Sequence, residues 1–520
     1  MKKTTTPYAF STLLAVPGSL LLFSSPLAAL VFEIGDDLKV QNSNVVSYGL
    51  AWRTAKPAHA LGGRNNANGN DGNNAFDRGS LITHRLGLVS DADFNFRRDF
   101  GLFVRASAYY DNVYHRRNDN HTGTSNCYAA GQCSRPDQFS RPTRDAHGGA
   151  VEMLDNYLYG SWQVADRPFN LRLGRQVVYW GESVYNGNGI ASTMSPFDAS
   201  KSNVPGVEIK ERTLPTGQLF ASYSLTDALD LQFYYQYEWK KSRLNAVGSY
   251  FSTTDLLDRG GYSNSTGQLV RLKDDEPRDS GQFGLALRYV AQSLNNTEFG
   301  LYRLRYHSKT PVVDNLSRRG SYQARYFEGI ELYGASFATV VVDTNINGEI
   351  SIQDRLPLAI DLGGARHTAR GRTGQVLLSM THGFGQTPFS DNFTLNGEVG
   401  YNRVLSNDSA YLPQRNPSDK LWNDRSAWGY TMRASSRYIE IMPGWDLTIP
   451  LSFNQGVNGN SSLGSYNQGR NRLSLGGTLE YLGNLSLEAV YNAYLGSPRY
   501  NNQSCLLYTS DAADEGLGVN

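Results

Sequence analysis

The chain is poor in the features that mark several protein classes. Its 520 residues include three cysteines and carry a formal net charge of +1, so there is no electrostatic case for nucleic-acid binding. Beyond the N-terminus, no apolar run approaches the ~18 to 20 residues of a membrane helix. The eight histidines show no metal-ligand spacing such as HExxH, and no phosphate-binding loop is present. We therefore expect no catalytic activity, no cofactor and no bound metal.

The chain does contain a two-residue alternation of apolar and polar side chains. In residues 229–239 the odd positions are Leu, Leu, Phe, Tyr, Tyr and Trp, whereas the even positions are Asp, Gln, Tyr, Gln and Glu. A period of two places these sets on opposite faces of a β-strand. Eleven residues at ~3.3 Å each span about 35 Å, enough to cross a hydrocarbon core of ~30 Å at a tilt. The stretch is typical of a lipid-facing strand.

The alternation recurs and predicts seventeen strands. The predicted strands are 46–53, 86–96, 102–110, 154–164, 169–180, 219–225, 229–239, 283–289, 298–306, 330–340, 346–353, 375–384, 393–401, 427–438, 445–453, 473–481 and 485–494. One short turn and one long polar loop alternate between them, which is typical of bacterial outer-membrane barrels. We expect an all-β chain that forms a transmembrane antiparallel β-barrel of about 18 strands, with short periplasmic turns and long external loops.

The chain divides into three regions. Residues 1–29 are typical of a secretory signal, with Lys2 and Lys3 at the start, a short apolar core, and small residues at Ala28 and Ala29. Residues 30–501 form the predicted barrel. Because bacterial barrels have an even number of strands, the seventeen present leave the last strand missing. Residues 502–520 do not alternate and resemble a translated sequencing adapter. We expect a non-native tail there, and the alternative is a genuine but atypical C-terminal extension.

The alternate positions of the strands predict the composition of the interior. A charge that faces lipid at the midplane costs ~2 to 4 kcal/mol, so charged residues must face water or one another. The candidates to line a pore are Arg105, Glu238, Arg288, Arg303, Arg305, Glu349, Glu398, Arg433, Arg437 and Glu480. Two interpretations stay open: a ladder of paired charges that stiffens the wall, or a charged constriction that selects a solute.

Arg175 breaks the alternation because it shares the parity of Leu171 and Leu173. A glycine inside a strand often marks a β-bulge, which shifts the side-chain register. We predict a bulge at Gly174 that turns Arg175 towards the interior. A regular ladder through Gly174 would refute this hypothesis.

One long connection, residues 181–217, is a candidate for a loop that folds into the barrel. About 18 strands enclose a water-filled channel unless something occupies it. The connection mixes apolar and charged residues, and we expect an inward position for Tyr185, Met194, Phe197, Asp198 and Lys201. The alternative is that the apolar groups pack on the external rim.

Two cysteines lie in one predicted external loop. Cys127 and Cys133 have five residues between them and lie in an oxidising compartment, so we expect a disulfide that braces the loop. At another strand end, His307 and Ser308 are adjacent, as they could be in a hydrolase. No third catalytic partner is identifiable by spacing.

Several stretches of the chain match motifs of one known family. The most specific is 173–182, which contains Gly174, Arg175, Gln176, Trp180, Gly181 and Glu182; the others are 204–211, 397–402, 426–430 and 499–501. On these residues the chain resembles the bacterial outer-membrane family of unknown function DUF1302, from about residue 32 to residue 501. The resemblance implies a location in the outer membrane of a Gram-negative bacterium and no defined reaction. Family members often accompany a periplasmic carrier protein and a proton-driven exporter of hydrophobic compounds.

Pattern and resemblance together predict a channel or transporter that passes a small, hydrophobic or aromatic molecule across the outer membrane. The preference for such a molecule rests on the family association. The expected surroundings are outer-membrane lipid and lipopolysaccharide. Two alternatives stay open: a non-conducting docking component of an envelope export complex, and an outer-membrane hydrolase.

Overall fold

The computed structural model describes residues 23–35, 37–57, 61–62, 66–97, 99–185, 189–316, 320–362, 365–408, 421–496 and 506–508. Residues 1–22 of the predicted signal, and 502–505 and 509–520 of the predicted tail, lie outside the described residues. The strands in chain order are β1 (Phe23–Ile34), β2 (Leu38–Arg53), β3 (Leu81–Phe96), β4 (Phe100–Asp111), β5 (Gly149–Val164), β6 (Arg167–Gln176), β7 (Thr216–Thr226), β8 (Leu229–Gln236), β9 (Val270–Arg271), β10 (Gln282–Ala291), β11 (Thr297–Tyr306), β12 (Val312–Leu316), β13 (Ser321–Arg325), β14 (Ile330–Val341), β15 (Thr344–Leu362), β16 (Ala365–Thr387), β17 (Ser390–Asp408), β18 (Ser426–Met442), β19 (Trp445–Asn458), β20 (Arg470–Tyr481), β21 (Leu485–Gly496) and β22 (Leu506–Tyr508).

Short helical turns occur in the connections. They are α1 (Asp71–Asn74), α2 (Asn126–Ala129), α3 (Arg141–Thr143), α4 (Ile209–Arg212), the 3-10 turns Asn112–His115, Ile190–Thr193, Ala199–Lys201 and Gln292–Leu294, and the π turn Arg144–Gly148. In the described ranges, none of the helices has the length and apolar character needed to span a membrane.

Nineteen strands form one large antiparallel sheet, and β9, β12 and β13 form a small separate sheet. From β2 to β21, each strand of the large sheet pairs with the next one along the chain. These seventeen strands overlap the seventeen predicted ones. The prediction of an all-β chain built on one large antiparallel sheet is therefore confirmed.

The position between β21 and β2 is filled by two short segments instead of one full-length strand. β1 pairs with β2 from Leu38 to Tyr48 and touches β21 at one residue pair, Ser24 and Ser486. β22 pairs with Ala51–Arg53 of β2 on one side and with 490–492 of β21 on the other. Along the described chain, no single strand joins the two edges over their whole length.

The two faces of the large sheet have the composition expected of a wall between lipid and a polar interior. Outward apolar side chains are freely accessible: Val151 is 86% exposed and Leu301 is 59% exposed. Polar side chains on the other face are fully buried, as Gln218, Gln282 and Asn492 show. A water-soluble protein buries its large apolar groups and exposes its polar ones. The reversed arrangement is the one that a lipid-facing sheet requires.

Two strands end earlier than predicted, and several others are longer than predicted. β6 ends at Gln176 instead of Trp180, because Trp180 turns into the interior and is almost completely buried. β8 ends at Gln236 instead of Trp239. The connections between β8 and β10 and between β11 and β14 contain the three strands of the small sheet. β12 pairs with β13 within one connection, and β13 pairs with β9 in the other. Strands as short as these do not produce a long alternation of apolar and polar residues, so the sequence does not predict them.

The outward face predicts the effect of a charge near the middle of a strand. Met432 lies on the outer face of β18 and is 45% exposed. We expect Met432→Arg to lower the free energy of unfolding in phospholipid vesicles by about 2 kcal/mol, because the guanidinium would face hydrocarbon. Denaturant titration measures this difference, with Met432→Leu as the size-matched control. An unchanged free energy in the arginine variant would show that this face does not meet lipid.

Candidate functional site

A single connection occupies the interior of the large sheet. We call residues 177–215, between β6 and β7, the crossing segment; residues 186–188 within it lie outside the described ranges. It touches the inner faces of β2 to β5 on one part of the sheet and of β14, β15 and β17 on another part, far from the first. A loop folded on the external rim could not reach both. The connection therefore has the inward course that the sequence led us to expect.

On the first part of the sheet the crossing segment is held by ion pairs and close backbone packing. Lys201 Nζ lies 3.0 Å from Glu152 Oε2 on β5, and Lys210 Nζ lies 3.1 Å from Asp91 Oδ2 on β3. On β2, a Cβ added to Gly49 would lie 2.6 Å from the Cβ of Pro205. Glycine is needed at this point because the backbone of the segment comes so near.

On the second part of the sheet two carboxylates accept backbone N–H groups of the crossing segment. Glu349 on β15 accepts from Glu182 N at 3.0 Å through Oε2 and from Ile190 N at 3.0 Å through Oε1. Glu398 on β17 accepts from Val184 N at 2.6 Å. Hydrogen bonds to a carboxylate are among the stronger ones in proteins. These two wall residues therefore hold the start of the segment in place.

Glu398 makes further contacts with the same turn of the chain. Its Oε2 accepts from Tyr185 N at 3.2 Å, and its Oε1 lies 3.3 Å from the hydroxyl of Ser183. Arg288 on β10 lies 3.6 Å from Glu182 and also pairs with Glu298 on β11. The start of the segment is thus surrounded by charged wall residues of both signs.

An aromatic cluster lies beneath the start of the crossing segment. The Trp180 ring lies 5.0 Å from the Tyr234 ring and 6.1 Å from the Tyr302 ring, and its Nε1 donates to Gln232 Oε1 at 2.8 Å. The buried members of this cluster are Val178, Trp180, Ile190, Met194, Phe220, Tyr234, Ala286, Tyr302, Leu304, Tyr306, Ile330 and Leu332. Apolar packing therefore fixes one side of the segment, and carboxylates fix the other.

The family motif residues form the point at which the chain leaves the sheet. Gln176 and Gln218 exchange side-chain to backbone hydrogen bonds of 3.1 and 2.8 Å. Gly181 has a φ of 100°, and a Cβ there would lie 2.6 Å from Glu349 Oε2. Only glycine fits this turn without strain, and the turn directs the backbone N–H of Glu182 onto the Glu349 carboxylate.

The residues expected to point inward from the connection differ in their surroundings. Asp198 and Lys201 are about 1% exposed, and Asp198 pairs with Arg243 at 3.0 Å. Met194 is buried and its carbonyl accepts from Gln236 at 2.7 Å. Phe197 is 44% exposed and lies outside the aromatic cluster. Sequence reasoning gave no special place to Ile190, although this residue is fully buried against Gly334.

Seven of the ten pore-lining candidates lie on the inner face of the sheet; they are Arg105, Arg288, Glu349, Glu398, Arg433, Arg437 and Glu480. Arg105 lies 2.8 Å from Asp91 and 3.0 Å from Asp155. Arg437 lies 2.8 Å from Asp446 at the short-turn end. The inner face therefore contains both charge pairs between neighbouring strands and charged residues that surround the crossing segment.

Arg303 and Arg305 are on the outer face, contrary to the prediction. In β11 the inward positions are Tyr302, Leu304 and Tyr306, which are buried in the aromatic cluster. The arginines share the parity of Phe299 and Leu301, and Arg303 lies over the Tyr333 ring at 5.8 Å. Here the inner face is apolar because the crossing segment packs against it. The rule that apolar side chains face lipid and charged side chains face the interior is therefore reversed in this part of β11. Both arginines lie at the long-loop end, near the membrane surface.

The predicted bulge at Gly174 is wrong, and Glu238 does not line the interior. The ladders of β6 with β5 and β7 are regular through Gly174 and Arg175. The register changes instead after β8, where the N–H groups of Tyr237 and Glu238 both donate to the carbonyl of Gly217. This shift brings Glu238 to the outer face, where its Oε1 lies 2.7 Å from Arg175 Nη2.

The long loops pack together at one end of the sheet. Cys127 and Cys133 form a disulfide in this region. Beside it, Asp71 accepts from Asn126 N at 2.7 Å and Asp255 accepts from Asn70 N at 3.0 Å. Burial raises the pKa of Asp71 to about 6. Burial and the neighbouring Asp71 raise that of Asp255 to about 8. Through these hydrogen bonds the two buried carboxyl groups link three loops.

His307 and Ser308 do not form a catalytic pair. His307 Nδ1 accepts from Gly329 N at 3.0 Å, which leaves its Nε2 as the donor to the Ser280 carbonyl at 3.0 Å. The Ser308 hydroxyl donates to the Thr310 carbonyl at 2.6 Å. Both ring nitrogens are engaged by backbone groups, so His307 has no nitrogen with which to activate Ser308. Within the described ranges, no group of three or more His, Cys, Asp or Glu side chains could hold a metal ion.

The two wall carboxylates make the seating of the crossing segment testable. We expect the double variant Glu349→Gln and Glu398→Gln to speed amide hydrogen exchange at Glu182, Val184 and Ile190 by about tenfold, because neutral acceptors bind N–H groups more weakly. Exchange measured by mass spectrometry on peptides from this region checks it.

Glu480→Gln is the matched control for this test. Glu480 lies on the inner face of β20 at the short-turn end. In the Glu480→Gln variant, amide exchange in the crossing segment should equal that of the wild type. Equal exchange rates in the double variant and in the control would show that the carboxylates do not hold the segment.

Comparison with known proteins gives a family and a set of solved structures. The family model described as protein of unknown function (DUF1302) matches residues 10–515, and no curated protein matches the chain. Among solved structures, OmpF of Salmonella typhi in complex with daunomycin is 10% identical, with 89% of this chain and 100% of that one covered and a TM-score of 0.40. OccAB1 of Acinetobacter baumannii is 9% identical, with 90% and 94% covered and a TM-score of 0.44. A BenF-like porin of Pseudomonas fluorescens is 9% identical, with 93% and 96% covered and a TM-score of 0.41. The family match spans almost the whole sequence, and the chain belongs to the DUF1302 family.

Proposed function

We propose that this protein is an outer-membrane channel that passes a small solute through an interior narrowed by the crossing segment. The observation that carries the proposal is the polar seating of that segment against the wall, through Glu349, Glu398 and the Lys201–Glu152 ion pair. An outward apolar face and short turns at one end favour a location in the outer membrane.

The seating supports a displaceable constriction. The contacts of Glu349 and Glu398 join side chains of the wall to the backbone of the segment, so the inter-strand ladder does not depend on them. Each such hydrogen bond contributes about 1.5 to 3 kcal/mol of stability, and a hydrogen bond to water can partly replace it. The segment can therefore move while the sheet keeps its pairing.

The surroundings of the segment support a small aromatic or hydrophobic solute. Trp180, Tyr234 and Tyr302 pack against one another on the inner face, and Arg288 with Glu182 lies beside them. These rings are buried while the segment is seated, so a solute reaches them only when the segment moves. Aromatic rings bind apolar and planar molecules, and charged neighbours orient polar ends. We propose two partners, a periplasmic carrier protein and a proton-driven exporter, because members of the family often accompany such proteins.

A second candidate is a docking component without conductance. The interior beside the segment is densely filled: Trp180, Ile190 and Met194 are no more than 1% exposed. A permanently filled interior would suit a protein that anchors an export complex. Conductance separates this role from that of a channel.

Planar-bilayer recording of the full-length protein tests the proposal. We expect the wild type to conduct, and the double variant Glu349→Gln and Glu398→Gln to conduct at least about twofold more, because a loosened segment widens the constriction. Glu480→Gln should match the wild type. Silence of the wild type and of the double variant alike would contradict the channel and favour the docking role. Uptake of aromatic solutes by cells with and without the gene then identifies the solute.

A further inference from the structure

Three arginines lie together on the outer face of the large sheet at its long-loop end. Arg303 and Arg305 occupy outward positions of β11, directly above the exposed Phe299 and Leu301. Arg355 lies at a bulge of β15, where its φ is 62° and the register with β16 shifts. A charged side chain beside lipid is unfavourable unless it reaches the polar interface or a counter-ion.

Two of the guanidinium groups converge on one point. A Cβ added to Gly329 would lie 3.4 Å from Arg305 Nη2 and 3.7 Å from Arg355 Nη1. These two nitrogens are therefore at most about 7 Å apart, a separation that the oxygens of a single phosphate group can bridge. Like charges at this distance repel each other, so an anion between them would stabilise the arrangement.

Two of the three carboxylates nearby pair with other arginines. The third, Glu331, lies opposite Arg305 in the ladder and leaves the three arginines in excess. Glu328 pairs with Arg278 at 3.4 Å, Asp354 pairs with Arg372 at 3.3 Å, and Glu331 accepts from the Tyr333 hydroxyl at 2.8 Å. Within the part of the chain that the structure describes, no carboxylate forms an ion pair with Arg303, Arg305 or Arg355. Arg305 Nε is buried and has no hydrogen-bond partner there. The cluster thus has an excess of unmatched positive charge.

We propose that Arg303, Arg305 and Arg355 bind the phosphorylated headgroup of lipopolysaccharide in the outer leaflet. The proposal rests on the outer-membrane location given above. A lipid fits better than a free anion because the apolar Phe299 and Leu301 lie immediately below the arginines on the same face. The acyl chains cover these residues while the phosphate groups meet the guanidinium groups, which bind phosphate bidentately. The Tyr333 ring under Arg303 holds that side chain at the interface.

A matched control lies on the same face and at the same end. Arg372 on β16 also points outward, but it is paired with Asp354. Its charge is already balanced, so its removal should not change the binding of an anionic lipid. The substitution Arg372→Gln therefore separates the loss of one outer-face charge from the loss of the cluster.

The test is a titration of the full-length protein in detergent with lipid A that carries two phosphates, and with the same lipid A after removal of its phosphates. We expect the wild type to bind the phosphorylated form about tenfold more tightly, since charge-assisted bonds to phosphate are strong. The triple variant Arg303→Gln, Arg305→Gln and Arg355→Gln should bind both forms equally. Arg372→Gln should retain the wild-type preference.

Three results would overturn the proposal: equal binding of the two lipids by the wild type, a preference retained by the folded triple variant, or complete displacement of lipid A by inorganic phosphate, which would indicate a site for the free anion. Heat-dependent migration on gels shows whether each variant is folded, and the wild-type comparison of the two lipids needs no variant. Bilayer conductance of the triple variant keeps this test apart from the channel proposal, because lipid binding can be lost while conductance stays unchanged.

Discussion

Lipid offers no hydrogen bonds to a backbone, and the rest of this structure depends on that constraint. Every N–H and C=O within the hydrocarbon must find a partner in the protein. The sheet meets this requirement by pairing each strand from β2 to β21 with its neighbours along the chain. The edge between β21 and β2 is covered by the short segments β1 and β22, so pairing there is discontinuous. This edge is where the sheet is least secured.

The side chains of the wall are left free by the ladder and can serve the interior. Glu349 and Glu398 use this freedom to hold the crossing segment by its backbone, and Glu152 and Asp91 hold it by its lysines. Apolar packing around Trp180 fixes the same segment on the other side. A connection held in this way can narrow the interior without any change in the sheet. The free energy that stabilises the sheet is therefore separate from the free energy of the contacts that hold the proposed constriction.

The sequence predicts the strands well because a long two-residue alternation has few other physical explanations. The seventeen strands were recovered, and so was the inward course of residues 181–217, which an excess of apolar side chains in a polar loop had indicated. The alternation alone could not reveal where the interior is apolar. In β11 the inward residues Tyr302 and Leu304 pack against the crossing segment, so Arg303 and Arg305 were assigned to the wrong face. The Phe299–Leu301 pair of the same parity was the signal that could have corrected this.

Local backbone geometry was the second feature that the sequence did not predict. A glycine beside an arginine predicted a bulge at Gly174, but the ladder there is regular. The register changes at Tyr237 and Glu238, where two N–H groups share one carbonyl. Such a shift depends on how the next loop leaves the sheet, which residue identities in one strand do not determine. The pairing of Arg175 with Glu238 shows that an outward charge is tolerated when a carboxylate balances it.

Accessibility along one strand tests the central claim most directly. Spin labels placed singly at residues 375–380 of β16, in protein reconstituted into vesicles with Cys505→Ser, report contact with lipid through collision with oxygen. The account predicts oxygen maxima at positions 376, 378 and 380 and minima at 375, 377 and 379, because Val376, Leu378 and Met380 are exposed while Gln375, Leu377 and Ser379 are buried. Uniform accessibility, or maxima at the odd positions, would contradict it.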